Sequence, residues 1–392
     1  MGLIPAETLV ALRRERLNEL ALLRRQGRKI AGYFSADFPV ELVRAAGAVP
    51  VRLGRGGYDA ETAGMRFLRA DACPFCLSTL GNFALGSADS FYPLVDAVAS
   101  VNTCDMARRL PESVKHHFGL PVYEVYMPRT AEPLPHRLEE FRRQLEWLGN
   151  ELAAFAVGSF DANRLGREMA VQNRIRGRLR EVDGVRKLDS PTLAETDILD
   201  LVMLAETIGP ERFLAQSAEW RQSSAATTRP QSGTVPTNSV TSRAGQRPRL
   251  MLIGSEVAEK DRWLLRAVEE QADIVTDLVP EGAAWFGEDC PTGEEPLSAL
   301  SRCYFIRLPG ITRRPNDRTY DRIRQLVKEY RVQGVLLKTL LYCDPWNYEA
   351  VRLQREIGVP LLHIDGNYSL ENQEQVRTRI EAFLESLESS NP

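Results

Sequence analysis

Apolar residues recur at helical spacing among charges from Thr8 to Arg28, which predicts an amphipathic helix at the start of the chain. After Ile30-Ala-Gly-Tyr33, Pro39 suits the first turn of a short helix that Gly47 closes before a strand over 48–52. A second apolar run, 97–101, predicts a buried strand that ends at Asn102-Thr103-Cys104-Asp105, with helix following through Lys115. A third strand is expected over 122–126, and 133–214 is mostly helical in pattern. Beyond it Arg249-Leu-Met-Leu-Ile-Gly254 opens a second unit with a strand and a glycine turn. Strands are expected over 334–338 and 359–363, and an amphipathic helix over 371–387.

Strands alternating with helices predict an α/β chain of two Rossmann-like (flavodoxin-like) domains with a helical insert. The expected division is an N-terminal α/β domain over 1–130, a helical bridge over 131–222, a linker over 223–248 and a C-terminal α/β domain over 249–392. The linker is read from its Ser, Thr, Pro, Gly and Gln content, which offers no apolar period and too little burial to offset ordering entropy. Cys104 and Cys343 both fall just after a predicted strand. In open α/β sheets that carboxyl edge is where ligands bind.

With 50 basic and 53 acidic residues the formal charge is -3, so no broad basic field attracts nucleic acid or anionic lipid. No secretory signal and no 18-residue apolar run are evident, so a cytoplasmic protein without membrane contact is expected. Neither a P-loop nor a full dinucleotide fingerprint is present; Gly254-Ser255 reads as a strand-to-helix turn.

Chemistry concentrates in the cysteines. All six, Cys73, Cys76, Cys104, Cys290, Cys303 and Cys343, fall in two triplets separated by the cysteine-free stretch 105–289. A long chain without a signal makes disulfides an unfavoured reading. Structural zinc would need a second close pair beside Cys73-Pro-Phe-Cys76, and a thioredoxin-like pair would leave four cysteines unexplained. Thiolate ligation of iron and sulfur between two domains fits better. Cys290, in the polar turn Gly287-Glu-Asp-Cys290-Pro-Thr-Gly293, gains little from burial as a free thiol, although small apolar core residues are the ordinary reading of such cysteines.

Several stretches taken together resemble the 2-hydroxyacyl-CoA dehydratase and benzoyl-CoA reductase family: Pro39-Val-Glu-Leu-Val-Arg-Ala-Ala-Gly47, Cys73 through Gly81, Val101-Asn-Thr-Cys104-Asp105, Cys343-Asp-Pro345 with Tyr348, Gly358-Val-Pro-Leu-Leu362 and Thr378-Arg-Ile-Glu-Ala-Phe383. The resemblance implies that Cys73, Cys104 and Cys343 hold a [4Fe-4S] cubane. With Cys76, Cys290 and Cys303 added, it implies the double-cubane [8Fe-9S] branch, an ATP-dependent low-potential reductase of small molecules. Its partners would be a second copy of the chain, a separate ATP-hydrolysing iron-sulfur activator and a small-molecule substrate. A single-cluster 2-hydroxyacyl-CoA dehydratase or benzoyl-CoA reductase subunit and a non-catalytic electron carrier are the rival readings.

No catalytic residue is assigned from spacing. Tyr342 and Glu41 are candidate proton donors through the resemblance alone. Thr103 and Ser78 are candidates for hydrogen bonds to a cluster. Lys338 and Arg379 read as solvated charges, His116 and His117 as surface residues, and His363 as a satisfied core histidine.

Overall fold

The computed structural model describes residues 3–226, 247–307 and 310–389. Two parallel four-stranded sheets carry the architecture: β1 (Ile30–Tyr33), β2 (Val49–Arg52), β3 (Ala97–Asn102) and β4 (Val122–Tyr126) in the order β2-β1-β3-β4, then β5 (Arg249–Gly254), β6 (Asp273–Leu278), β7 (Gly334–Leu340) and β8 (Leu361–Gly366) in the order β6-β5-β7-β8. Helices flank both sheets, and the two domains are Rossmann-like. Central strands β3, β5 and β7 are buried along their whole length, as expected for parallel strands covered on both faces.

Two strands escape the apolar pattern. β1 is four residues long, too short to show a period. β6 carries Asp273, Thr276 and Asp277 yet is buried throughout, because Asp277 is paired with a buried arginine. Tertiary pairing overrides its polar composition.

The helical segment comprises Pro135–Phe155, Ala162–Asp183, Glu195–Thr207 and Pro210–Ala226. The last covers the first four residues of the expected 223–248 linker; 227–246 lie outside the described residues. The segment is packed on both sheets. Helix Pro296–Ile306, although it follows β6 in sequence, contributes Leu297, Leu300 and Phe305 to the core beneath the first sheet, beside Phe141, Leu145 and Leu165.

Buried ion networks tie these layers together. Arg52 of β2 contacts Glu206 of the helical segment at 2.9 Å, Glu256 after β5 at 3.0 Å and Glu281 after β6 at 2.7 Å, so one guanidinium links three parts of the fold. Arg186 is fully buried against Asp183, Glu195 and Asp277. Glu269 caps the helix Glu195–Thr207 from the second domain, accepting from Glu195 N and from Thr196 Oγ1 at 3.0 Å.

Burial raises the Glu269 carboxyl from its ordinary 4.5 to about 7. The folded chain therefore keeps a proton that the unfolded chain releases. That contribution is complete below pH 4.5 and is lost as pH rises through about 7, a change of about 3 kcal/mol. Between these pH values the urea midpoint of Glu269→Gln is expected to fall less than that of the parent. Parallel pH profiles would show that the carboxyl does not titrate there.

Candidate functional site

In each sheet the chain reverses direction of progress between its two central strands, β1 and β3 in the first, β5 and β7 in the second. Loops leaving the carboxyl ends of such a pair diverge and leave a crevice. A single cavity of about 220 Å³ is lined from both crevices, by Ser35 and Asp37 after β1, Cys104 after β3, Glu256 after β5 and Cys343 after β7. Cys73 and Cys76 also line it.

Three of these cysteines occupy the same local position. Cys73 is the N-cap of helix Pro74–Leu85, Cys104 that of helix Asp105–Phe118 and Cys343 that of helix Asp344–Glu356. Pro74 and Pro345 suit the first turn, where an amide hydrogen would lack a partner in any case. Each N-terminus brings unpaired amides and the positive end of a helix dipole to a sulfur, an environment that favours thiolate and anionic groups. At Cys104 the amide of Ala107 donates to Sγ at 3.3 Å.

The backbone is shaped to hold these caps in place. Helix Pro74–Leu85 lies so close to helix Tyr58–Gly64 that a Cβ on Gly81 would fall 1.7 Å from the Ala60 carbonyl oxygen, and one on Gly64 1.9 Å from that of Leu77. Only glycine permits that approach. Tyr342, immediately before Cys343, has φ 61°, a left-handed conformation costing on the order of 1–3 kcal/mol for a residue with a side chain. That strain turns the chain from β7 into the Cys343 cap.

Burial sets the protonation of the thiols. It pushes Cys343 up to about 12 and raises Cys104. Cys76 is raised first by its hydrogen bond with Cys73, which lowers Cys73 in return. Without a cation most of the set stays protonated, so metal binding must release protons. Among the described residues no three His, Cys, Asp or Glu side chains converge on a point suited to one ion. The thiols instead line a chamber. An all-sulfur set with helix amides around it suits an iron-sulfur cluster in its donor chemistry better than a hard cation.

Cys290 and Cys303 are not part of this set. They form a disulfide with Cα atoms 5.2 Å apart, buried in the core beneath the first sheet. This corrects the expectation that the chain lacks disulfides, and the three-plus-three division of ligands is not what the fold brings together. Helix Pro296–Ile306 carries Cys303 into that core, while Asn173 and Arg176 hold the Cys290 turn: the amide of Cys290 donates to Asn173 Oδ1 at 2.9 Å, and Asn173 donates to the Cys290 carbonyl at 2.7 Å. A bond closing a loop of this length stabilises by about 3 kcal/mol. Denatured, metal-free chain is expected to show four reactive thiols before reduction and six after it. Six before reduction would remove the pairing.

Other candidates are also placed differently. Lys338 is not solvated: its ammonium is buried against Asp261 at 2.9 Å. Glu41 does not line the cavity; it is fully buried, ion-paired with Arg176 at 2.7 Å and accepting from Tyr304 Oη at 2.8 Å, and against the opposing effect of burial the guanidiniums of Arg176, Arg44 and Arg307 hold its carboxyl below the usual range. The Tyr342 side chain is half exposed and off the cavity lining. Ser78 donates to the Phe75 carbonyl, whereas Thr103 does line the cavity. His363 shares a hydrogen bond with Thr339, His116 and His117 are exposed, and Arg379 donates to the His363 carbonyl. Asp37, Glu256 and Arg307, which line the cavity, belong to no motif and are found only by folding the chain.

Residues 35–387 match the family described as 2-hydroxyglutaryl-CoA dehydratase, D-component. The chain is 26% identical over 383 residues to a protein of Escherichia coli (strain K12) named for a dehydratase subunit, YjiM, covering 93% of each. It is 21% identical over 372 residues to the (R)-phenyllactyl-CoA dehydratase beta subunit of Clostridium sporogenes, covering 92% of each.

Proposed function

From the premise that this chain belongs to the 2-hydroxyglutaryl-CoA dehydratase D-component family, we propose that it is a subunit of a 2-hydroxyacyl-CoA dehydratase-type system and holds one [4Fe-4S] cluster through Cys73, Cys104 and Cys343. The observation that carries the reading is the convergence of three cysteine-capped helix N-termini on one cavity between the domains. When bound, such a cluster supplies single low-potential electrons.

The chain's own residues do the rest. The N-terminal amides of the three helices stabilise negative charge at the sulfurs. Phe34, Phe75, Met106 and Leu110 line the chamber with apolar surface and exclude water, which strengthens every charge interaction inside it. Glu256 is drawn toward the protonated form at the cavity wall, because burial and the neighbouring Glu281 raise its carboxyl well above the ordinary range against its contact with Arg52. It is the acid placed to serve a departing hydroxyl.

The double-cubane reductase reading asks for six thiolates, and four face the cavity. A separate activator ATPase as electron donor, and a second copy of the chain as partner, remain part of the proposal through family likeness.

The test is iron and acid-labile sulfide per chain after anaerobic purification, joined to an assay of 2-hydroxyacyl-CoA dehydration with and without an activator ATPase and MgATP. About four irons and ATP-dependent dehydration support the proposal. About eight irons with reduction of acetylene, hydrazine or azide would replace it with the reductase reading. A chain that binds no iron would end it.

A further inference from the structure

One wall of the thiol-lined cavity carries a buried guanidinium whose hydrogen bonds are incomplete among the described residues. Arg307 follows helix Pro296–Ile306, is 8% exposed, and lies over the Tyr304 ring with 4.3 Å from the guanidinium carbon to the ring centroid. Its Nη2 is buried and has no hydrogen-bond partner among the described residues. Glu41 and Asp37 attract it, but neither is hydrogen-bonded to its Nη2. Glu41 is bound to Arg176 and Tyr304, and Arg176 repels Arg307. Arg313 spends its donors on the carbonyls of Pro128, Phe305 and Thr130. Asp37, in the same cavity, is itself drawn toward the neutral form by burial. Arg307 also lines a second cavity, together with Leu278, Ala284 and the carboxylates Asp183, Glu288 and Glu329.

A buried guanidinium nitrogen without a hydrogen-bond acceptor is costly, and a ligand that brings an anion supplies the acceptor. The same chamber presents Phe34, Phe75, Met106, Leu110, Ile311 and Trp346 as apolar wall. A complementary molecule has a short apolar body and an oxyanion at one end. We infer that Arg307 receives a carboxylate of the small molecule that enters the cavity, holding it through the planar fork that matches carboxylate geometry. Carboxylate binding at Arg307 does not rest on the dehydratase reading.

Trp346 lines the cavity and supplies the signal. Anaerobically purified chain is titrated with butyrate and with its neutral counterpart butyramide, following the tryptophan emission that is absent in Trp346→Phe. Butyrate is expected to bind more tightly than butyramide, to weaken about ten-fold or more in Arg307→Gln and to recover in part in Arg307→Lys, with butyramide unaffected throughout. Equal binding of the two probes by the parent, or unchanged butyrate binding by Arg307→Gln, overturns the inference. Should Arg307→Gln not fold, phenylglyoxal labelling of the parent decides: butyrate must slow modification of the Arg307 peptide, and an unchanged rate at saturating butyrate overturns it. Iron is measured on the same samples. Carboxylate selectivity in a chain without iron keeps this inference and removes the dehydratase reading, whereas iron and dehydration without carboxylate selectivity do the reverse.

Discussion

Replacing Cys104 or Cys343 by serine is expected to remove most of the iron from the anaerobically purified chain, while Cys290→Ser or Cys303→Ser leaves it in place. Cys104 and Cys343 follow central strands of the two sheets and cap the helices after them, so under the proposed function each would be a ligand the other domain cannot replace. Serine keeps the cap geometry and removes the soft donor, which separates loss of ligation from loss of folding. Cys76 lies one turn inside its helix, with its thiol donating to the Met106 carbonyl at 3.5 Å, and its serine variant is expected to retain most of the iron. The Cys290 and Cys303 variants should instead lose about 3 kcal/mol of stability through the open loop. Iron and sulfide analysis beside urea unfolding reads both effects. Full iron content in Cys104→Ser and Cys343→Ser would remove the cavity as the cluster site.

The second large effect concerns Arg186. Its guanidinium is inaccessible to solvent and faces Asp183, Glu195 and Asp277, the last at 2.8 Å. Arg186→Met keeps much of the side-chain volume but leaves three buried carboxylates with no cation among them. Burial and mutual repulsion already raise Glu195 well above its ordinary range and raise Asp277. Breaking such a buried set by deleting one partner costs about 3–5 kcal/mol. Glu195 begins a helix of the inserted segment and Asp277 lies on β6, so the loss should loosen the insert from the second sheet. Urea midpoints by far-ultraviolet dichroism should fall accordingly, and more steeply as pH rises and the carboxylates lose their protons. A midpoint within experimental error of the parent would show that water reaches the network.

Local pattern was enough for much of the fold. β4 and helix Gln373–Ser389 stand where the sequence puts them, because Val and Tyr favour an extended strand and Ile380, Leu384 and Leu387 recur at helical spacing with one face to bury. Strand-end positions marked Cys104 and Cys343, since parallel α/β connections bring such ends to one edge. Family membership was likewise legible in the cysteine-bearing motifs.

Other features depended on contacts between residues far apart in the chain. β6 is buried despite its acidic residues because Arg186, 91 residues away from Asp277, neutralises that carboxylate, and Arg247 pairs with Asp273. Cys290 and Cys303 share the second triplet with Cys343 in sequence, yet helix Pro296–Ile306 carries Cys303 into the core of the first domain, where it pairs with Cys290. Arg307 carries no spacing signal at all; its character arises from being buried beside a cavity with its Nη2 lacking a hydrogen-bond partner among the described residues. The sequence by itself determined which segments become strands and helices and which cysteines stand at strand ends, because those depend on neighbours within a few residues. Tertiary structure alone decided which thiols share a chamber and which buried groups lack a hydrogen-bond partner, because burial and pairing are properties of the space between elements, not of the chain.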